Sequence, residues 1–261
     1  LYGARARVVT MGSCFAVNLA NSLAEAGVDA HALRLHEEAN TPVANRLLLE
    51  YCTGHASEQA VELFGDEISP ANATDTRLRL EQTDIFVFTL GVGICSIDRE
   101  TGKLILRPNA HNIRSCEWRF FSVEEVRSEI QTILDLVRGL NKSCNIVLTV
   151  SPVPLYRSFL TPSAFVDDCT SKSILRASIG AVNFGATERL WYWPSFELFR
   201  WLGSHTGPVF GQDDGLPRHV NRAMVRIAVE QFGRRFLGLA NTELAVGTKA
   251  TATTLVSDLP A

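Results

Sequence analysis

The chain alternates short apolar runs with longer stretches in which apolar residues return every three or four positions, and that alternation predicts its elements. "ARVVTMG" at 6–12 is a β-branched apolar run that suits a buried parallel strand. "CFAVNLANSLAEAG" then places Phe15, Leu19, Ser22, Leu23 and Ala26 at helical spacing until Gly27 ends it. "VDAHALRL" from Val28 reads as a second strand, and "NTPVANRLLLEYCTG" as a loop entering a helix, with Pro42 near its start and Gly54 at its end. "DIFVFTLG" from Asp84 to Gly91 is almost continuously apolar, the mark of a strand covered on both faces. In "VGICSIDRETGKLILR" two alternating runs flank "DRETG", which predicts a hairpin leaving the main sheet. "SVEEVRSEIQTILDLVRGLN" is an amphipathic helix with Ser122 as cap and Glu125 in the capping-box position.

"NIVLTVSPVPL" reads as a further buried strand ending at Ser151 and Pro152, "SKSILRASIGAV" as a helix and "ERLWYW" as a short strand. "PSFELFRWL" opens a helix with proline first, and "HVNRAMVRIAVEQFGRRFLG" is a long amphipathic helix. Strands alternating with helices argue an α/β fold whose mainly parallel sheet is covered on both faces. The expected organisation is one domain over residues 1–240 with a small excursion at 92–120, followed by a loosely ordered Ala/Thr-rich tail at 241–261.

With 46% hydrophobic and 20% charged residues in a chain of 261, there is enough apolar material for a full core. The formal net charge of -3 and the lack of a long basic run disfavour nucleic acid and anionic membrane as partners. No apolar run reaches eighteen residues and no charged-then-apolar leader precedes Arg5, so the expectation is a cytoplasmic chain without a membrane span. Cys14, Cys52, Cys95, Cys116, Cys144 and Cys169 are scattered, without metal-ligand or redox-pair spacing, and read as thiols in a reducing compartment. No metal is implied. "GVG" at 91–93 lacks the third glycine of a dinucleotide fingerprint, so no cofactor is expected.

In an open α/β sheet ligands bind beyond the carboxyl ends of the strands, which selects Ser13, Asn40 to Pro42, Gly91 to Gly93, and Ser151 to Pro154. Ser13 opens the first helix. It is either a helix cap or a nucleophile at a helix N-terminus suited to an oxyanion. A nucleophilic serine needs a base, and of six histidines His219 stands out, because it follows "GQDDGLPR" at the opening of the last helix with Asp213 and Asp214 just before it. His31 reads as a strand residue, while His36, His55, His111 and His205 fall in loops, His111 among Asn109 and Asn112. Cys14 reads as a small apolar filler, Lys172 and Arg176 as a solvated helix face, and "LWYWPSF" as aromatic core.

"MGSCFA" at 11–16 resembles the signature of the GSCFA family, a group similar to the SGNH/GDSL hydrolases. The likeness continues through "NTPVANRLLLEY", "FVFTLG", "LTVSPVPL", "SKSILRA" and "DDGLPRHV" in the order such proteins show them. It implies a flavodoxin-like, three-layer α/β/α sandwich and serine-dependent acyl transfer, by an esterase or O-acyltransferase acting on acyl, specifically acetyl, esters of carbohydrate. It further implies Ser13 as nucleophile, His219 as general base and then acid, and Asp214 as the residue orienting the imidazole. The Ser13 N–H would be one oxyanion donor, with Asn40 and Gly91 as further contributors and Asn112 as a candidate side-chain amide. Two departures stand out. The superfamily usually spaces its aspartate three residues before the histidine, whereas Asp214 lies five before His219 and position 216 is leucine. The usual glycine-x-asparagine block is replaced by "TLGVG". These departures are the evidence for the alternative, a non-catalytic binding module that keeps the fold, and the intact Ser13 and His219 argue against it. The oligomeric state is left open.

Overall fold

The computed structural model describes residues 3–35, 39–105, 108, 114–185, 188–205, 208–211, 215 and 217–239, and the 241–261 tail lies outside them. The first apolar run forms β1 (Arg7–Gly12). Then α1 (Cys14–Glu25), β2 (Asp29–Arg34) and α2 (Pro42–Thr53) follow within a residue or two of the predicted bounds. Thr41 caps α2 and Gly54 closes it in the left-handed conformation. Two helices that the hydrophobic pattern did not announce come next, α3 (Glu58–Phe64) and α4 (Pro70–Glu81). The reason is visible in their packing: α3 is too short to repeat an apolar stripe, and α4 buries only Thr76 and Leu80.

After β3 (Ile85–Leu90) the chain makes β4 (Ile94–Asp98) and β5 (Cys116–Phe120), then α5 (Val123–Leu140) with its expected capping box, and β6 (Asn145–Val150). The remaining elements are α6 (Ala164–Gly180), β7 (Leu190–Tyr192), α7 (Ser195–Glu197) and α8 (Arg222–Phe232). Pro194 is the N-cap of α7 rather than its first residue, and α7 runs on in wider turns to Leu202. The final helix is shorter than its periodicity suggests. It starts from Asn221, whose side chain accepts the Met224 N–H, and gives way at Gly233 to wider turns ending at Leu237.

Five strands pair in parallel in the order β2-β1-β3-β6-β7, the flavodoxin-like order. Alternate side chains feed two cores. Val9, Met11, Phe86, Phe88, Leu90, Ile146, Leu148 and Val150 pack with apolar residues of α2, α4, α5 and α6. Val8, Ala30, Ile85, Val87 and Val147 pack with those of α1 and α8. The result is a three-layer α/β/α arrangement in which β1, β3 and β6 are covered on both faces.

The excursion has a different pairing from the one its pattern suggests. The "DRETG" turn is present, closed by Asp98 N–H to Lys103 O at 2.8 Å, but Leu104 makes only an isolated bridge with Ile97. The ladder partner of β4 is β5, and the two form a separate antiparallel ribbon. None of the six cysteines is in a disulfide. Burial pushes the Cys95 thiol up to about 11 and those of Cys52 and Cys144 to about 12, so these core thiols stay protonated and inert.

Candidate active site

Parallel register brings the strand ends to one edge: Gly12 faces both Arg34 and Thr89, and Leu90 faces Val150. From β1 the chain moves outward to β2 and later returns to the other side of β1 as β3, so the order reverses between β1 and β3. A crevice forms at such a switch point. Here it is a cleft open to solvent, lined at its floor by the buried Ser13, Asn40 and Ser151 and by Gly91.

Gly12 makes this floor possible. Its φ is +115°, and a Cβ there would lie 2.0 Å from the Thr89 carbonyl oxygen, so only glycine lets the chain pass this close over β3. The passage has a chemical consequence. The Ser13 N–H donates to Thr89 O at 3.2 Å and is therefore engaged with the sheet, contrary to its expected part as an oxyanion donor.

The Ser13 side chain does not cap α1. Thr41, Ser57, Ser69, Ser122 and Asn221 all occupy N-caps, and each accepts through its side chain the N–H three residues on. Ser13 has the same extended cap conformation but makes no side-chain cap bond, a feature Ser163 shares. Its Oγ is buried and has no hydrogen-bond partner among the described residues. The hydroxyl is held by its surroundings. Phe15 packs between Trp193 and Phe199 at ring-centroid distances of 5.8 and 5.7 Å, and Thr10 Oγ1 donates to Ala16 O, which fixes the first turn of α1.

Gly91 lies against both Ser13 and Asn40. A Cβ at Gly91 would be 3.1 Å from Asn40 O and 3.4 Å from Ser13 Cβ, so a side chain there would press on Asn40. The Asn40 side chain is oriented by Asn45, whose Nδ2 donates to Asn40 Oδ1 at 2.8 Å. That bond turns the Asn40 Nδ2 the other way, where it too is buried without a partner among the described residues. An orphaned donor beside an orphaned hydroxyl is costly to folding unless a ligand completes it.

The second glycine of "GVG" also has a packing cause. A Cβ at Gly93 would lie 2.8 Å from Ser171 O, and the Gly93 N–H donates to Ser171 Oγ at 2.7 Å. Beside Ser171 stands a residue that the sequence reading put on a solvated face. Lys172 is 2% exposed, lines the cleft, and donates from Nζ to Gly91 O at 2.6 Å. Arg176, one turn on, is half-buried against Glu197 and the Tyr192 ring. Helical spacing alone could not reveal this, because α6 is covered where it crosses the β3–β4 turn. Cys14 likewise differs from expectation: it is partly exposed and lines the cleft rather than filling the sheet–helix interface.

The walls are apolar and aromatic. Val92, Ile94, Val153, Leu155, Trp118 and Phe159 contribute, and the last two rings pack at 4.7 Å. The Arg157 guanidinium lies over both Phe159 and Tyr156, and Arg218 lies 5.2 Å from the Tyr156 ring centroid. Through Arg218 the chain bearing His219 reaches the cleft wall. His219 is half-buried, its carbonyl accepting the Gly211 N–H at 2.8 Å, but it is not itself among the residues that line the cleft. Asp214 and Asn112, with His111 and Asp213, lie outside the described residues. Among the described residues no group of three or more His, Cys, Asp or Glu could hold a metal ion, and no helix is long and apolar enough to cross a membrane.

The model of the GSCFA family matches residues 67–232, more than half of the chain. The chain belongs to the GSCFA family. The matched range takes in the Gly91 turn, α6 and His219, whereas the family's namesake residues at 12–16 and Asn40 precede it. None of the curated proteins compared is similar to this GSCFA chain. Among solved structures, an acetyl xylan esterase (Est2A) from the rumen bacterium Butyrivibrio proteoclasticus is similar at 12% identity with a TM-score of 0.44. The alignment covers 91% of the GSCFA chain and 65% of the esterase, so the chain spans just under two thirds of that protein's length.

Proposed function

We propose that the chain is a serine-dependent esterase or O-acyltransferase working through an acyl-enzyme on Ser13. The observation that carries this reading is the Ser13 hydroxyl, buried at an N-cap without capping, beside the unpartnered Asn40 amide on the floor of a cleft. In this reading His219 takes the Ser13 proton as Oγ attacks the ester carbonyl. The oxyanion is received by Asn40 Nδ2 next to Gly91. The imidazolium, oriented by Asp214, returns its proton to the leaving alcohol. Water or a sugar hydroxyl then attacks the acyl-serine, with His219 again as base, and frees an acid or a new ester. Acetyl esters of carbohydrate are the proposed substrates, since the rings of Trp118, Tyr156 and Phe159 offer apolar faces to a sugar ring at the mouth of the cleft.

One observation favours a binding module instead: His219 stands outside the cleft lining. A fluorophosphonate probe separates the two. A single adduct on Ser13, absent in Ser13→Ala and formed at least ~100-fold more slowly in His219→Ala, is expected of the enzyme. A folded protein that takes no adduct is the binding module.

A further inference from the structure

Asn45 is a polar side chain in an apolar layer. Its buried neighbours along α2 include Ala44, Leu47, Leu48 and Leu49, and a leucine at 45 would leave no polar atom unsatisfied. Yet Asn45 is 1% exposed, and its Oδ1 is buried without a partner among the described residues. Such a cost calls for a reason. Both hydrogen bonds of the side chain come from Nδ2, which donates to Thr41 O and to Asn40 Oδ1, each at 2.8 Å.

A side-chain amide can present its oxygen or its NH2, and the hydrogen-bond network decides which. In this chain of groups only Thr41 O has no choice. It is a backbone carbonyl, already receiving the Asn45 N–H at 3.0 Å, and it can only accept. Asn45 must therefore turn its NH2 to Thr41 O, because the reverse would set two oxygens 2.8 Å apart. The same NH2 reaches Asn40, which must answer with Oδ1, so Asn40 Nδ2 is left unpartnered on the far side of its amide. The Asn40 backbone is held separately by the turn after β3, its carbonyl accepting the Val92 N–H at 3.2 Å.

We infer that Asn45 is a positioning residue of the acyl-transfer site, which relays the fixed polarity of the Thr41 carbonyl to Asn40 and so keeps an N–H, not an oxygen, toward the developing oxyanion. This rests on the acyl-enzyme reading above. As Ser13 Oγ bonds to the carbonyl carbon, the carbonyl π pair moves to oxygen and the serine proton moves to His219. When the oxyanion collapses, the bond from carbon to the alcohol oxygen breaks and His219 returns the proton to that oxygen. Asn45 does not line the cleft and acts only through Asn40, which need not rotate at the moment charge develops.

The test is a double-mutant cycle on the rate at which a fluorophosphonate labels Ser13, since the phosphonyl oxygen also gains negative charge. Asn40→Ala removes the donor and is expected to label about 100-fold more slowly. Asn45→Leu keeps the branched outline, removes the relay and frees the Asn40 amide to turn, for an expected loss of about 10- to 100-fold. In the Asn40→Ala background the same change should cost less than about threefold, because nothing remains to be oriented. A merely structural Asn45 would give the same loss in both backgrounds, and that result overturns the inference. So does either single variant labelled within about threefold of the wild-type rate. In these cases Ser13 is still labelled and the serine reading stands. If wild type takes no adduct on Ser13, both fall. Should Asn45→Leu fail to fold, Asn45→Val, which is shorter and still apolar, carries the same cycle and the same criteria.

Discussion

The floor of the cleft and its outer wall are held by different forces. Ser13 and Gly91 directly follow the adjacent parallel strands β1 and β3, so the ladder sets their spacing and close backbone contact at Gly12 their separation, while the Val92 N–H holds Asn40 O at 3.2 Å. The wall from Val153 to Phe159 has no ladder. The Val153 N–H donates to Ser151 Oγ, and the N–H groups of Leu155 and of Phe159 to Thr161 are taken by two buried carboxylates near the start of α6. Asp167 accepts from Phe159, Leu160 and Thr161 at 2.6, 2.8 and 3.1 Å, and Asp168 accepts from Leu155 at 3.0 Å while pairing with Arg200. The floor is thus fixed chiefly by backbone contact, whereas the wall depends on carboxylate charge.

The largest effect that would break this contrast is on the floor. Gly12→Ala puts a methyl group 2.0 Å from the Thr89 carbonyl at a φ of +115°, so β1 and β3 must separate or the turn must refold. We expect a loss of about 4 kcal/mol or more in urea unfolding, with Ser13 labelling lost too. A loss under about 1 kcal/mol would mean that the strand ends are not fixed by this contact.

Asp167→Asn acts on the wall and should be milder. The amide offers one oxygen and turns an NH2 toward backbone donors, for an expected loss of about 1–3 kcal/mol and a new protease-sensitive site between 155 and 163. The Ser13 labelling rate should change by less than about threefold, because the floor is held independently. The wild-type wall carries a pH signature as well. Burial alone would raise the Asp167 pKa, but the Leu160, Phe159 and Thr161 donors outweigh it and hold the carboxyl below its ordinary 3.8. A depressed folded pKa gives stability that is complete above the unfolded value and is lost as pH falls below 3.8. Acid should therefore open the wall in wild type and leave Asp167→Asn unaffected in that window, as hydrogen exchange at Phe159 to Thr161 would report.

The same contrast explains what could be read from the sequence. The floor lies at strand ends and helix starts, where apolar period, Pro42, Gly54 and the Ser13 block mark the chain locally. Asn40 and Gly91 follow from the rule that ligands sit beyond strand ends. The wall and Lys172 depend on which helix crosses which turn, and nothing local records that crossing. Lys172 and Arg176 share a helical face, and only the approach of α6 to Gly93 reveals that the face is covered. The engagement of the Ser13 N–H is hidden for a similar reason, since its bond to Thr89 depends on β1 and β3 being neighbours. α4 leaves no apolar stripe in the sequence because it is polar nearly all round.

The smallest effect sharpens the comparison by testing the wall where it meets the β4–β5 ribbon. Trp118 comes from β5 and Phe159 from the carboxylate-held loop, and their rings pack at 4.7 Å across the cleft mouth. An aromatic pair of this kind contributes about 0.5–1.5 kcal/mol beyond its buried area, and Trp118 is only half-buried, so Trp118→Ala should cost stability on that scale. Neither ring touches Ser13 or Asn40 through any hydrogen bond, so the change should raise KM for a chromogenic acetate ester several-fold and leave kcat within about twofold. Trp118→Phe should restore KM. A fall in kcat with KM unchanged would place Trp118 in contact with the reacting atoms, and the separation of floor from wall would then fail at the ribbon.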